Sequence, residues 1–152
     1  MTCSYLLCDA QGDLYETAAR EGYDFPCFSD VLLRSHFCWK YLDTEYSRFQ
    51  TAGPGDSMDY LLLEAHDALK KRSDGLFFDP DVANWIGFCY RHLYLHFGID
   101  SEKLADMIPF DDMVAMYPMM HTVDEELCAE KIGEAYGLKR REVKSSADTT
   151  NL

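Results

Sequence analysis

No C-x-x-C pair occurs in the chain, so a zinc ribbon or a thioredoxin-like motif is excluded. There is no Gly-rich phosphate loop, no G-x-S-x-G elbow, and no Cys–His pairing at a spacing that suggests nucleophilic catalysis. There is no N-x-S/T sequon, no internal repeat and no low-complexity block. The start, Met1-Thr2-Cys3-Ser4-Tyr5-Leu6-Leu7-Cys8, lacks a basic segment, and its apolar run is too short for a secretory signal. The longest apolar stretch, Val82 to Ile99, is interrupted by Asn84, Arg91, His92 and His96, each costly in hydrocarbon. It reads as a buried helix, not a membrane span. The six cysteines are therefore expected as reduced thiols in a cytosol, with Cys89 and Cys128 as small core fillers.

Positive charge is also scarce. Lys plus Arg number 14 against 27 Asp plus Glu, a net charge of −13 over 152 residues. Such a surface repels phosphate, so nucleic acid and anionic membrane are poor partners, and a basic protein is a suitable one. Residues 139–152 hold four basic and two acidic side chains, so residues 1–138 carry −15. The expected organisation is a helical domain over 1–138 and a flexible charged tail over 139–152.

Apolar residues are plentiful, 47% of the chain with 14% aromatic, enough to build a core. Their spacing predicts helices, and no alternating strand pair is found. Residues 1–12 read as irregular, with Gln11-Gly12 as a turn and Asp13 capping a helix over 14–21 closed by Gly22. Ser29 is expected to cap a helix over 30–42 that buries Val31, Leu32, Ser35, Cys38, Trp39 and Leu42. After the breaker Gly53-Pro54-Gly55, a helix over 57–72 buries Met58, Leu61, Leu62, Ala65 and Leu69 and exposes Asp59, Glu64, Asp67 and Lys70.

Asp79-Pro80 is a strong helix start: a capping carboxylate, then proline where its missing N–H costs nothing. That helix is predicted to run to Phe97 and stop at Gly98, with Trp85, Ile86, Cys89 and Leu93 as the core spine. Further helices are expected over 100–107, over 109–117 with Pro118 as terminator, and over 124–136. For the last, Thr122 and Glu125 suggest a capping box, Leu127, Cys128, Ile132 and Tyr136 face the core, and Gly137 ends it. The fold class is all-α: a compact single-domain orthogonal bundle of six or seven short helices around a central aromatic helix.

His92 and His96 lie four apart, on one helix face, as in zinc-binding helices. No glutamate stands between them to act as a base. A third ligand would have to come from His36, His66, His121 or a carboxylate, and the commoner role of such histidines is packing. Arg91, within an apolar helix, calls either for a carboxylate from 43–59 or 111–112 or for a place in a recognition patch. Asp111-Asp112 and Asp124-Glu125-Glu126 are explained by helix dipoles and caps. Cys27 has no neighbour in sequence that would activate it. Met116, Tyr117, Met119, Met120 and His121 suit either core packing or an interface. The residues set aside for partner binding are Arg91, Asp59, Glu64, Asp67 and His121. No catalytic residue, bound metal or cofactor is expected.

Trp85-Ile86-Gly87-Phe88, Tyr90-Arg91, Gly98 and Ser101-Glu102-Lys103, with Glu45-Tyr46-Ser47-Arg48-Phe49-Gln50 and the set Tyr117, His121-Thr122 and Asp124, resemble motifs of a family of small uncharacterised helical proteins of gut Firmicutes. The resemblance covers about residues 14–136. Those proteins are often encoded beside an ADP-ribosyltransferase-like toxin candidate. The resemblance implies a bacterial antitoxin-like or immunity-like protein that binds and neutralises such an enzyme. The alternatives are a metal-dependent hydrolase built on His92 and His96, or an acidic mimic of DNA. The mimic ranks last because the acids are scattered between residues 9 and 148.

Overall fold

The computed structural model describes residues 2–74 and 77–140. Its elements are α1 (Thr2–Arg20), α2 (Phe25–Leu33), a π-helical turn (Cys38–Leu42), a 3-10 turn (Arg48–Gln50), α3 (Pro54–Ala65), α4 (Pro80–Phe97), α5 (Ser101–Met107), α6 (Phe110–Met120) and α7 (Glu125–Tyr136). The all-α expectation holds: among the described residues there is no strand, only an antiparallel bridge between Tyr23 and Lys71. Of the expected tail, only Lys139 and Arg140 fall within the described residues, and both are exposed.

The central helix is α4, which packs on α1, α5, α6 and α7. Its ends form as the sequence predicts. The Asp79 carboxylate accepts the Asp81 N–H at 2.8 Å, and Gly98 takes the left-handed conformation with φ 69°. Ile86, Cys89 and Leu93 are buried as expected, joined by Tyr90 and Phe97. Trp85 is a correction: it is only half-buried.

The largest correction is α1, one continuous helix through the expected turn at Gln11-Gly12. Leu7, Cys8, Gln11, Leu14, Tyr15, Ala18 and Ala19 are all buried, at helical spacing. The polar Gln11 and the glycine beside it disguised that stripe. Glycine serves here as a contact point. A Cβ on Gly12 would lie 2.9 Å from the Asn84 carbonyl oxygen. A Cβ on Gly87 would lie 2.7 Å from both the Gln11 carbonyl oxygen and the Tyr15 ring. The Gln11 amide donates to the Gly87 carbonyl at 3.1 Å across this crossing. Close approach of α1 and α4 thus offsets the ~1 kcal/mol that a mid-helix glycine costs.

The expected helix over 30–42 divides in two. Asp24 precedes α2, which ends at Leu33, and the chain resumes as the π-helical turn. Ser29 is buried with its hydroxyl 2.7 Å from that of Tyr15, so it caps nothing. Trp39, expected inside, is 63% exposed. Helix α3 starts earlier than expected, at Pro54, and stops at Ala65. The backbone then turns so that Asp24 N–H bonds to the Lys70 carbonyl at 2.7 Å and Arg72 N–H to that of Gly22 at 2.8 Å.

Pro118 lies inside α6, in its last turn, and the helix reaches Met120. Met116 and Met120 pack on the core while Met119 is exposed. For α7 the cap is Asp124, not Thr122: its carboxylate accepts the N–H groups of Glu126 and Leu127 at 3.1 and 3.3 Å. Leu127 is 49% exposed, a correction, whereas Cys128 and Ile132 are buried. Gly137 terminates the helix with φ 69°, as expected.

Candidate functional site

Arg91 is not at the surface. Its side chain is 0% exposed, and its Nη1 lies 2.7 Å from Asp43 Oδ1. Nε donates to Gln11 at 2.9 Å, and Nη2 donates to the Ser101 hydroxyl at 3.0 Å and to the Cys38 sulfur at 3.2 Å. Asp43 also accepts the Ser101 N–H at 3.0 Å, tying down the start of α5. The interior ion pair with a carboxylate from 43–59 is what the fold contains, and a surface role for Arg91 is overturned by burial.

The three acids assigned to α3 separate. Asp59 is exposed. Asp67 lies past the helix end, 3.1 Å from His66 Nε2. Glu64 is structural: its carboxylate accepts the His36 and Phe37 N–H groups at 2.7 and 2.9 Å and so holds the approach to the π-helical turn.

His92 and His96 do share one face of α4, and α7 lies across them. His92 Nε2 is 3.3 Å from Glu126 Oε2, and His96 Nδ1 is 3.5 Å from Glu126 Oε1. His96 Nε2 is 2.7 Å from Glu130 Oε2 and 3.3 Å from Arg140 Nη2. The Tyr5 hydroxyl donates to Glu126 Oε2 at 2.8 Å. Burial pushes the His92 pKa below the ordinary histidine value, although the Glu126 charge opposes this. The Tyr5 bond, followed by the two histidines, lowers the Glu126 pKa.

Beside this cluster a cleft of about 410 Å³ opens between α4 and the α6–α7 end of the molecule. Trp85, Phe88 and Tyr117 supply aromatic wall, and Glu16, Asp81 and Glu125 supply carboxylates. No Lys or Arg is among the described residues lining it. Trp85 and Tyr117 meet edge to face, centroids 5.7 Å apart. His121 stacks on Tyr117 at 4.2 Å and bonds through Nδ1 to that residue's carbonyl at 2.7 Å, so it belongs to the cleft rim. Cys89 and Cys128 line the inner end. Their mutual hydrogen bond raises the pKa of Cys89 and lowers that of Cys128.

Sequence reasoning found His92, His96 and His121 here, and missed Trp85, Asp81 and Glu125 as cleft residues. Trp85 has the spacing of a core residue, and the acids stand where helix dipoles and caps account for them. Glu126 and Glu130 were missed too, although they repeat at the same four-residue spacing as His92 and His96. Two matched i,i+4 pairs on helices that pack together were the available signal. No protein-family model, curated protein or solved structure matches the chain.

Proposed function

We propose that this protein is an acidic, non-catalytic binding protein of a reducing cytosol, whose cleft takes a Lys or Arg side chain from a basic protein partner. The observation that carries this is the composition of the cleft: Asp81 and Glu125 around Trp85, Phe88 and Tyr117, with Glu16 at its edge already paired to Arg20 and no Lys or Arg among its described lining. Aromatic faces attract cations, and carboxylates complete the pairing. The net charge of −13 supports fast encounter with a basic surface and works against nucleic acid. Cys8, Cys27, Cys38, Cys89 and Cys128 are free thiols, in keeping with that compartment. The resemblance to the Firmicutes proteins points to one kind of partner, a toxin-like enzyme encoded nearby, which this protein would neutralise.

The test is capture from a lysate of the source organism with the wild type and with the Trp85→Ala/Glu125→Lys variant, checked for folding by circular dichroism. A basic protein held by the wild type and lost by the variant supports the proposal. No such protein, or one held equally by both, overturns it. Co-expression with the neighbouring enzyme then tests neutralisation directly, through rescue of growth.

A further inference from the structure

The matched pairs His92/His96 and Glu126/Glu130 are not explained by the cleft. Only His92 reaches its wall. Both imidazoles are nearly buried, 7% and 9% exposed, while the Glu126 side chain is 59% exposed and opens the cluster to solvent. One ring nitrogen from each histidine and one oxygen of Glu126 lie within 4.8 Å of one another.

We propose that His92, His96 and Glu126 form a binding site for one divalent transition-metal ion, zinc being the best chemical fit. Two imidazoles and one carboxylate are a zinc donor set, and softer or harder ions prefer thiolate or all-oxygen sites. The spacing agrees. Charge-assisted N–H···O bonds run ~2.7–2.9 Å. The Glu126 carboxylate instead straddles the two rings, Oε2 toward His92 Nε2 at 3.3 Å and Oε1 toward His96 Nδ1 at 3.5 Å, so that a small movement brings one oxygen and both imidazoles around a single ion.

The outer groups agree as well. A ligating histidine characteristically gives its other N–H to a carboxylate. With Nδ1 of His96 toward Glu126, its Nε2 has Glu130 at 2.7 Å. The Tyr5 hydroxyl orients Glu126 from α1. Arg140, 3.3 Å from His96 Nε2, is the cation such an ion would have to tolerate. Three protein ligands leave one tetrahedral position for water. The site would clasp α4 to α7 at the cleft's end, and it does not depend on the cleft having a partner.

The probes are zinc chloride and cobalt(II) chloride, added to full-length protein without an affinity tag. The wild type is expected to retain one equivalent of zinc after dialysis. Its melting temperature should rise by roughly 5–10 °C at a hundredfold excess of free zinc over Kd. Cobalt should give the intense visible bands of a four-coordinate ion. Glu126→Gln should abolish stoichiometric retention, and Glu130→Gln should weaken binding roughly 10–100-fold. Glu126 is exposed and its glutamine variant keeps its shape, so this variant carries the test even if His96→Ala fails to fold. Absence of retained metal in the wild type, or retention undiminished in Glu126→Gln, overturns the proposal.

Discussion

The Arg91 guanidinium and the Asp43 carboxylate sit 2.7 Å apart with side-chain exposures of 0% and 6%. They lie 48 residues apart in the chain, and their pairing joins α4 to the loop that follows the π-helical turn. Bringing both charges out of water is costly, and the bonds to Gln11, Ser101 and Cys38 offset that cost by leaving no buried side-chain donor or acceptor unpaired among the described residues. Asp43→Ala strands the guanidinium and is expected to cost about 3–5 kcal/mol in urea unfolding. Replacing both partners by apolar residues, Arg91→Met with Asp43→Leu, should recover much of that loss. A single variant within 1 kcal/mol of wild type, on the order of an exposed pair, would contradict the assignment.

Gly87 and Gly55 should respond oppositely to alanine. A Cβ at Gly87 meets the Gln11 backbone and the Tyr15 ring at 2.7 Å, whereas nothing lies within 4 Å of one at Gly55. Gly87→Ala is expected to lose about 1–2 kcal/mol despite better helix propensity. Gly55→Ala, in the first turn of α3, should gain about 0.5–1 kcal/mol. Equal effects in thermal melts would show that α1 and α4 do not cross at Gly87.

Among the acids near α3, only Glu64 should matter for stability. Its carboxylate takes two backbone N–H groups, and Glu64→Ala should cost about 1–2 kcal/mol, as loss of a helix cap does. Asp59→Asn and Asp67→Asn are expected to stay within about 0.5 kcal/mol of wild type. Chemical denaturation of the three variants checks the ordering.

Stability should fall in alkali, because two buried thiols resist ionisation in the folded protein. Burial pushes the Cys8 thiol up to about 12 and the Cys38 thiol up to about 11, from an ordinary value of 9.0. Between 9 and those values the unfolded chain has released protons that the native protein still holds, so unfolding becomes easier as pH rises. The contribution is complete below about pH 8.5 and is lost progressively above pH 9. Melting curves from pH 8 to 10.5 should show this decline, and Cys8→Ala should lessen it. In the native protein at pH 8, iodoacetamide should leave Cys8 and Cys38 unmodified, since the thiolate is the reactive form. Rapid labelling of either would place it at the surface.

Sequence resolved the helices best where ends and stripe agree, as in α4, whose Asp79-Pro80 start and Gly98 stop are local chemistry. It failed where a residue's local preference was overridden by a distant contact. Gly12 reads as a turn until Asn84 is known to lie against it, and Ser29 reads as a cap until Tyr15 takes its hydroxyl. Arg91 was traced to the right stretch of carboxylates, because a buried guanidinium demands one. The cleft was less legible: Trp85 has the spacing of a core residue, and only the α6–α7 corner, set by tertiary packing, leaves one side of it open. Glu126 stood in a helix first turn, where a cap explanation sufficed and concealed its place opposite the two histidines.

The central claim is that the cleft binds a cationic side chain of a basic partner. Its most direct measurement is the kinetics of complex formation with the captured partner, for wild type, Asp81→Asn/Glu125→Gln and Trp85→Ala, from 50 to 300 mM salt. Screening shortens electrostatic reach to about 8 Å at physiological ionic strength, so the wild-type association rate should fall steeply with salt. The double variant, which lacks both cleft carboxylates, should associate more slowly at 50 mM and show a flatter salt dependence, and Trp85→Ala should accelerate dissociation at least tenfold with the fold intact. Association and dissociation rates unchanged in both variants would contradict the account.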